Sequence, residues 1–284
     1  MLTAVIALGV RILSNPIANI FQKKLSDNYS AILINLYSYA FLTLFCIFPI
    51  LTNNWGQYSF EYWCYVWLAG MLCTLGSVCL IKALQYGEMS VLGPINSYKC
   101  IVGLVIAFFI LGETPDIYGI IGVLLIIFGS WFIFDTVKEG FSFKLLLRKD
   151  IILRFCALIF TGSEAVILKK IILLSSVGEC FMLWCLSGFV FSLILAVLFR
   201  VKFEVLKGKE LSETFLIALN LGLMQYSTNV VFKYINVGLA LALFQLSGVI
   251  TVLAGYYMFK EGSLVKKLVG TFIMIFGSCL ILLF

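Results

Sequence analysis

The sequence predicts an all-α membrane protein: ten transmembrane helices arranged as two inverted five-helix repeats. Three observations carry that prediction. The 284 residues are 62% hydrophobic and only 12% charged, too apolar for an ordinary water-soluble domain. Apolar stretches of about 20 residues follow one another almost end to end, the length that crosses a hydrocarbon core of about 30 Å as a helix. The second half also repeats the first. Lys82 and Gly87 answer to Lys233 and Gly238 at an offset of 151, and Glu113, Gly122, Phe128, Gly129 and Ser130 answer to Glu261, Gly270, Phe276, Gly277 and Ser278 at an offset of 148.

In chain order the spans are expected near 2–22, 31–52, 62–84, 89–111, 117–136, 151–173, 179–200, 213–235, 239–259 and 266–284. The first begins almost at Met1 with no basic leader or small-residue cleavage site, and Arg11 interrupts it, so it reads as a retained span. Pro16 inside it invites a kink, because proline removes a helical hydrogen bond. Gly93-Pro94 opens the fourth span and has no proline counterpart near Leu241–Gln245 in the second copy, so the ninth is expected to bend differently. The fifth and tenth spans are apolar and studded with glycine (Gly119, Gly122, Gly129; Gly270, Gly277). Small residues at helical spacing permit close helix packing, either within the chain or in a homodimer through spans five and ten.

Five spans per half is an odd number, so the second half enters the membrane upside-down relative to the first. The expected domains are 1–137, a polar linker at 138–150, and 151–284. No segment is long or polar enough to form a separate soluble domain.

The formal net charge of +6 is a matter of topology and not of nucleic-acid binding. Lys23, Lys24, Lys138, Lys144, Arg148, Lys149, Arg200, Lys202, Lys207, Lys209, Lys260, Lys266 and Lys267 all follow odd-numbered spans and fall on one face. The opposite loops at 53–61, 112–116 and 174–178 carry none. The positive-inside rule puts the basic face in the cytoplasm and both termini outside. The nine cysteines show no disulfide or metal spacing and read as apolar packing. The absence of histidine removes the commonest proton shuttle and most zinc chemistry, and neither metal nor cofactor is expected. With no carboxylate pair at one depth and no nucleophile–base arrangement, an enzyme is not expected, and a channel filter is equally absent.

Chemistry is expected where ions sit deep. Arg11 and Lys99 fall about nine or ten residues into their spans and Glu164 about nine before the end of its own, all near mid-membrane, where a charge must face the bundle interior. Helical spacing adds Asn15, Asn19 and Lys23 to the stripe of Arg11, joins Asn96 and Gly103 to Lys99, and sets Thr161 beside Glu164. Gln225, Asn229 and Lys233 form a stripe on the eighth span, while Gln245, Gly248 and Thr251 do so on the ninth. The candidate substrate site is therefore Arg11, Asn15, Asn19, Asn96, Lys99, Thr161, Glu164, Gln225, Asn229 and Gln245, with Glu164 as the proton-coupling candidate. A bland reading stands beside it: single Asn, Gln, Ser and Thr residues in membrane helices often serve as interhelical glue, and Arg11 and Glu164 could simply pair. Lys82 and Lys233 sit near helix ends and should snorkel to the interface. Glu113 and Glu261 sit at helix ends as caps.

The motifs Lys82, Gly93-Pro94, Gly112-Glu113 and Gly122/Gly129, with ILGETP at Ile110–Pro115 and MFKEG at Met258–Gly262, resemble the EamA-type branch of the drug/metabolite transporter superfamily over the whole chain. The resemblance implies a ten-helix inverted-repeat carrier of amino acids, metabolites or drugs with a central cavity, set in a bacterial cytoplasmic membrane. It also implies termini in the cytoplasm, opposite to the charge count. The expected partners are a small-molecule substrate and membrane lipids. The expected function is alternating-access transport of a small polar metabolite or amino acid, anionic if Lys99 is unpaired, driven by protons or by exchange. The alternative is a flippase for lipid head groups, which a lateral opening lined with polar groups would favour.

Overall fold

The computed structural model describes residues 2–102, 116–136 and 146–283. Gly103, Glu113, the ILGETP motif, Lys138 and Lys144 lie outside these residues. In chain order the helices are α1 (Leu2–Ser26), α2 (Ala31–Phe45), α3 (Ile47–Thr52), α4 (Phe60–Tyr86), α5 (Met89–Leu92), α6 (Ile117–Phe134), α7 (Lys149–Leu174), α8 (Val177–Leu198), α9 (Lys209–Tyr234), α10 (Val237–Phe244), α11 (Ser247–Phe259) and α12 (Leu264–Leu283). No strand occurs among the described residues. Among the described residues, eight segments are long and apolar enough to cross a membrane, α10 and α11 together counting as one.

Local sequence sets the starts. Ser30, Ser59, Asp116 and Ser176 accept hydrogen bonds from the backbone N–H three residues on, at Leu33, Tyr62, Gly119 and Glu179. Each thereby satisfies one of the donors a helix N-terminus leaves open. Because Ser59 and Ser176 cap, α4 and α8 begin two residues before the positions read from hydropathy.

Three expected spans are broken. The second divides at Cys46 into α2 and α3. The fourth opens as one turn, α5, followed by a 3₁₀ turn at Pro94–Ser97. The ninth divides at Gln245–Leu246 into α10 and α11, so it breaks at the place equivalent to Gly93-Pro94 without any proline. The ninth span does bend differently in form, with a two-residue turn where the fourth has a 3₁₀ turn, and polar side chains hold the break. Asn96 Nδ2 donates to Gln245 Oε1 at 3.0 Å, tying one interruption to the other, and Gln245 Nε2 donates to the Leu241 carbonyl at 3.0 Å. Pro16 does not interrupt α1, which runs through it with the ring buried.

The halves interlock by exchange. α1 packs along α9 and α7 along α4, while α2 meets α8, α5 meets α11 and α6 meets α12. Swapping the halves converts the first contact into the second and returns the other three onto themselves. At the α6–α12 contact the glycines meet within the chain. A Cβ placed on Gly122 would lie 2.6 Å from the Gly277 carbonyl oxygen, and one on Gly270 would lie 2.5 Å from that of Gly129. Large apolar side chains point outward, Phe45, Leu51 and Phe60 among the most exposed, whereas Asn35, Ser38, Thr74, Ser192 and Asn229 are buried. Apolar outside with polar groups inside is the arrangement a lipid solvent selects. The protein is an integral membrane protein.

Candidate functional site

A cavity of about 120 Å³ lies among α1, α4, α7, α9, α10 and the turn after Pro94. Its wall includes Arg11, Asn15, Asn19, Asn96, Lys99, Thr161, Glu164 and Gln225, eight of the ten residues expected from the sequence. Asn229 and Gln245 stand one layer behind. Asn229 Oδ1 accepts from Gln225 Nε2 at 2.9 Å, and Gln245 accepts from Asn96. Both orient a wall residue and do not face the cavity.

Arg11 and Glu164 are not an ion pair. Glu164, 5% exposed, accepts at Oε1 from Trp184 Nε1 at 2.9 Å. The Arg11 guanidinium lies over the Phe244 ring at 4.6 Å from its centroid, a favourable cation–π arrangement. Its Nε and Nη1 are buried and donate to no described atom. Lys99 takes part in no ion pair among the described residues; those that occur involve Lys23, Arg148, Lys170, Lys209, Lys266 and Lys267.

Several hydroxyls are less available than the sequence suggests. Thr161 donates to the Ala157 carbonyl at 2.7 Å, and Thr228, Thr251 and Ser14 each bond the carbonyl four residues back. That removes the donor and leaves only lone pairs for a ligand. Asn15 Nδ2 reaches Ser247 Oγ at the outer limit of hydrogen bonding, 3.5 Å.

Sequence reasoning missed Arg154, Gln22 and Trp184. Arg154 is 7% exposed and donates from Nε to the Leu92 carbonyl at 2.8 Å and from Nη2 to Asn96 Oδ1 at 3.0 Å. It binds α7 to the broken start of the fourth span and adds a third cation to the wall. Its place only five residues past Lys149 makes it look like a loop charge, but it lies on the stripe of Ala157, Thr161 and Glu164. That stripe was the available signal.

A second polar cluster closes one end of the bundle beside the cavity. Lys23 Nζ donates to Glu261 Oε1 at 2.9 Å and to the Gly87 carbonyl at 2.8 Å. Glu261 accepts at its two oxygens from the backbone N–H groups of Met89 and Ser90, each at 2.8 Å, and so caps α5. Lys267, only 1% exposed, bonds Glu88 at 2.6 Å and Ser90 Oγ at 2.7 Å. The capping role expected for Glu261 is thus explicit, and its acceptors' target is a helix start in the other half. Lys82 and Lys233 are exposed, as snorkelling requires.

The described residues thus form a helical membrane bundle with two interlocked halves and a buried polar cavity between them. A family model described as EamA-like transporter family matches residues 4–135 and again 148–283. The chain belongs to the EamA-like transporter family, within the drug/metabolite transporter superfamily. One solved crystal structure aligns with a TM-score of 0.69 at 13% identity, covering 98% of this chain and 95% of the other, which shows a shared fold. No curated protein matches the chain by sequence.

Proposed function

We propose that the protein is a secondary transporter that moves a small polar solute, an anionic metabolite or an amino acid, by alternating access. In this reading ten spans form two inverted repeats, 1–137 and 151–284, joined by the linker 138–150, in a bacterial cytoplasmic membrane with the basic face inside. The exchange-symmetric helix contacts support a two-fold relation between the halves, and an odd number of spans in each half would make it an inverted one. The single observation that carries the transport reading is the cavity: a polar wall with three cations and one carboxylate, drawn from both halves, with Arg11, Arg154 and Glu164 buried where lipid would otherwise exclude charge.

Opening to the basic face would require Lys23 to leave Glu261, because that pair ties the halves at one end. Opening to the other face would separate Tyr62 from Ser175 and Asn53 from Glu179, which also join the halves. Glu164 is the group assigned to proton coupling, with solute exchange as the other means of drive. A homodimer through α6 and α12 would have to use their outer faces, at Phe128 and Phe276, since the glycine faces are taken up within the chain.

The flippase reading has less support. It needs a polar lateral opening, and the groove beside α2 and α8 is lined mostly by apolar side chains such as Phe41, Leu44, Phe189 and Leu206, with Tyr37 and Thr43 as its polar members. The deciding experiment is uptake into proteoliposomes containing the purified chain, with a panel of labelled acids, amino acids and neutral sugars. Solute accumulation above protein-free vesicles supports the carrier, whereas lipid scrambling without solute uptake would replace it by the flippase.

A further inference from the structure

We infer that the cavity selects a compact dianion, a dicarboxylate or phosphate ester of a few carbons. The inference deepens the carrier reading and rests on it. Three cations face the cavity, Arg11 from α1, Lys99 from the segment after Pro94 and Arg154 from α7, against the single carboxylate of Glu164. No ion pair joins the carboxylate to any of them among the described residues, and its Oε1 accepts from the indole of Trp184. Arg154 donates to two neutral oxygens, the Leu92 carbonyl and Asn96 Oδ1. Arg11 has a ring beneath it and two buried nitrogens with no acceptor. By formal charge the cavity therefore holds an excess of two positive charges. Buried ions without counter-charge are costly, and a ligand that supplies the missing charge gains what the empty site lacks. A monoanion leaves one cation uncompensated; a dianion balances the set.

Volume restricts the candidates further. About 120 Å³ is close to the roughly 150 Å³ of an engineered cavity that accepts benzene, so a four-carbon dicarboxylate or a triose-sized phosphate suits it and a nucleotide or a two-chain lipid does not. Geometry gives the charge a second use. Arg154 also pins the Gly93-Pro94 break from which the helix of Lys99 starts, so an anion that draws Arg154 inward acts on the joint between the halves.

The test uses the full chain in detergent and in proteoliposomes. Thermal stabilisation is measured with succinate and glycerol 3-phosphate as dianions, lactate as a monoanion, alanine as a zwitterion and glucose as a neutral solute. At least one dianion should stabilise the chain most, because ligand bound only to the folded form raises its stability by mass action. Lys99→Met should weaken that dianion about 30-fold or more while changing lactate binding far less. Glu164→Gln, which raises the excess charge, should bind the dianion more tightly, and it carries the test if Lys99→Met does not fold. Better stabilisation by lactate, alanine or glucose than by either dianion overturns the dianion assignment but leaves the carrier. Absence of both stabilisation and uptake for every solute overturns the carrier reading itself.

Discussion

Lys23 Nζ sits 2.9 Å from Glu261 Oε1, an ion pair that spans 238 residues of sequence and fastens the end of α1 to the turn after α11. Because Glu261 also receives the Met89 and Ser90 N–H groups, one carboxylate holds three donors from the opposite half. Glu261→Gln removes the charge and one acceptor of matched strength. Hydrogen bonds to charged groups contribute about 1.5–3 kcal/mol, so the variant should lose stability by about that amount in a thermal or denaturant titration. Lys23→Met should lose a comparable amount, and the double variant less than the sum of the two, because both singles break the same contact. If the pair also closes the basic face, a cysteine at Gln22 should react faster with an impermeant thiol reagent added from that face in Glu261→Gln than in the parent. Equal rates would leave the pair a purely structural tie.

The same carboxylate sets an acid limit. Burial pushes the Glu261 carboxyl up, but the hydrogen bond with Ser90 and the hydrogen bond and charge of Lys23 outweigh it and hold the group below its usual value near 4.5. A depressed folded value means that the stabilisation is fully present above the ordinary carboxylate range and is lost as pH falls through the lowered one. Melting temperature measured against pH should therefore show the parent and Glu261→Gln converging in acid, with their gap constant from about pH 6 upward. A gap that closes near neutral pH would contradict the assignment.

Much of this architecture was legible because lipid imposes simple rules: runs of apolar residues at helical length, basic loops on one face, and ions only where they can face inward. Arg11, Lys99 and Glu164 were found by depth alone, and the structure gathers all three at one cavity. What escaped were features that depend on partners in the other half. The break at Gln245–Leu246 has no proline or glycine to announce it and is held by Asn96, some 149 residues away. Arg154 sits too near a loop for depth to flag it. Asn229 and Gln245 obey the right periodicity, but each spends its side-chain oxygen orienting Gln225 or Asn96, which no spacing rule distinguishes from facing a ligand.

At the α6–α12 crossing, backbone touches backbone. Gly277 has room for no Cβ: the Gly122 carbonyl oxygen would be 2.6 Å away and the Leu125 side chain 3.0 Å. A carbonyl cannot rotate aside as a long side chain can. Gly277→Ala should separate the helices and cost about 1–3 kcal/mol, the range for overpacking. Gly162→Ala provides the contrast, since nothing lies within 4 Å of that position. Alanine there should be neutral or slightly stabilising, as alanine is the better helix former by about 1 kcal/mol. Similar losses at both positions in a melting experiment would show that close approach is not the reason for the glycine.

Glu164 lines the cavity together with three cations, and its Oε1 is fixed by the Trp184 indole. A proton delivered to this carboxylate would raise the cavity's net positive charge by one and strengthen its hold on an anion; its departure would do the reverse. Coupling then needs no histidine, only a carboxylate that changes charge between the two faces. Glu164→Gln fixes the group in its neutral form. The variant should keep solute-for-solute exchange in proteoliposomes yet lose accumulation driven by an imposed pH gradient. Trp184 gives an independent readout, because its indole bonds the carboxylate oxygen of Glu164. Tryptophan fluorescence should change with pH in the parent, lack that component in Glu164→Gln, and lose it again in Trp184→Phe. Uphill transport surviving in Glu164→Gln would assign coupling elsewhere, whatever the fluorescence does.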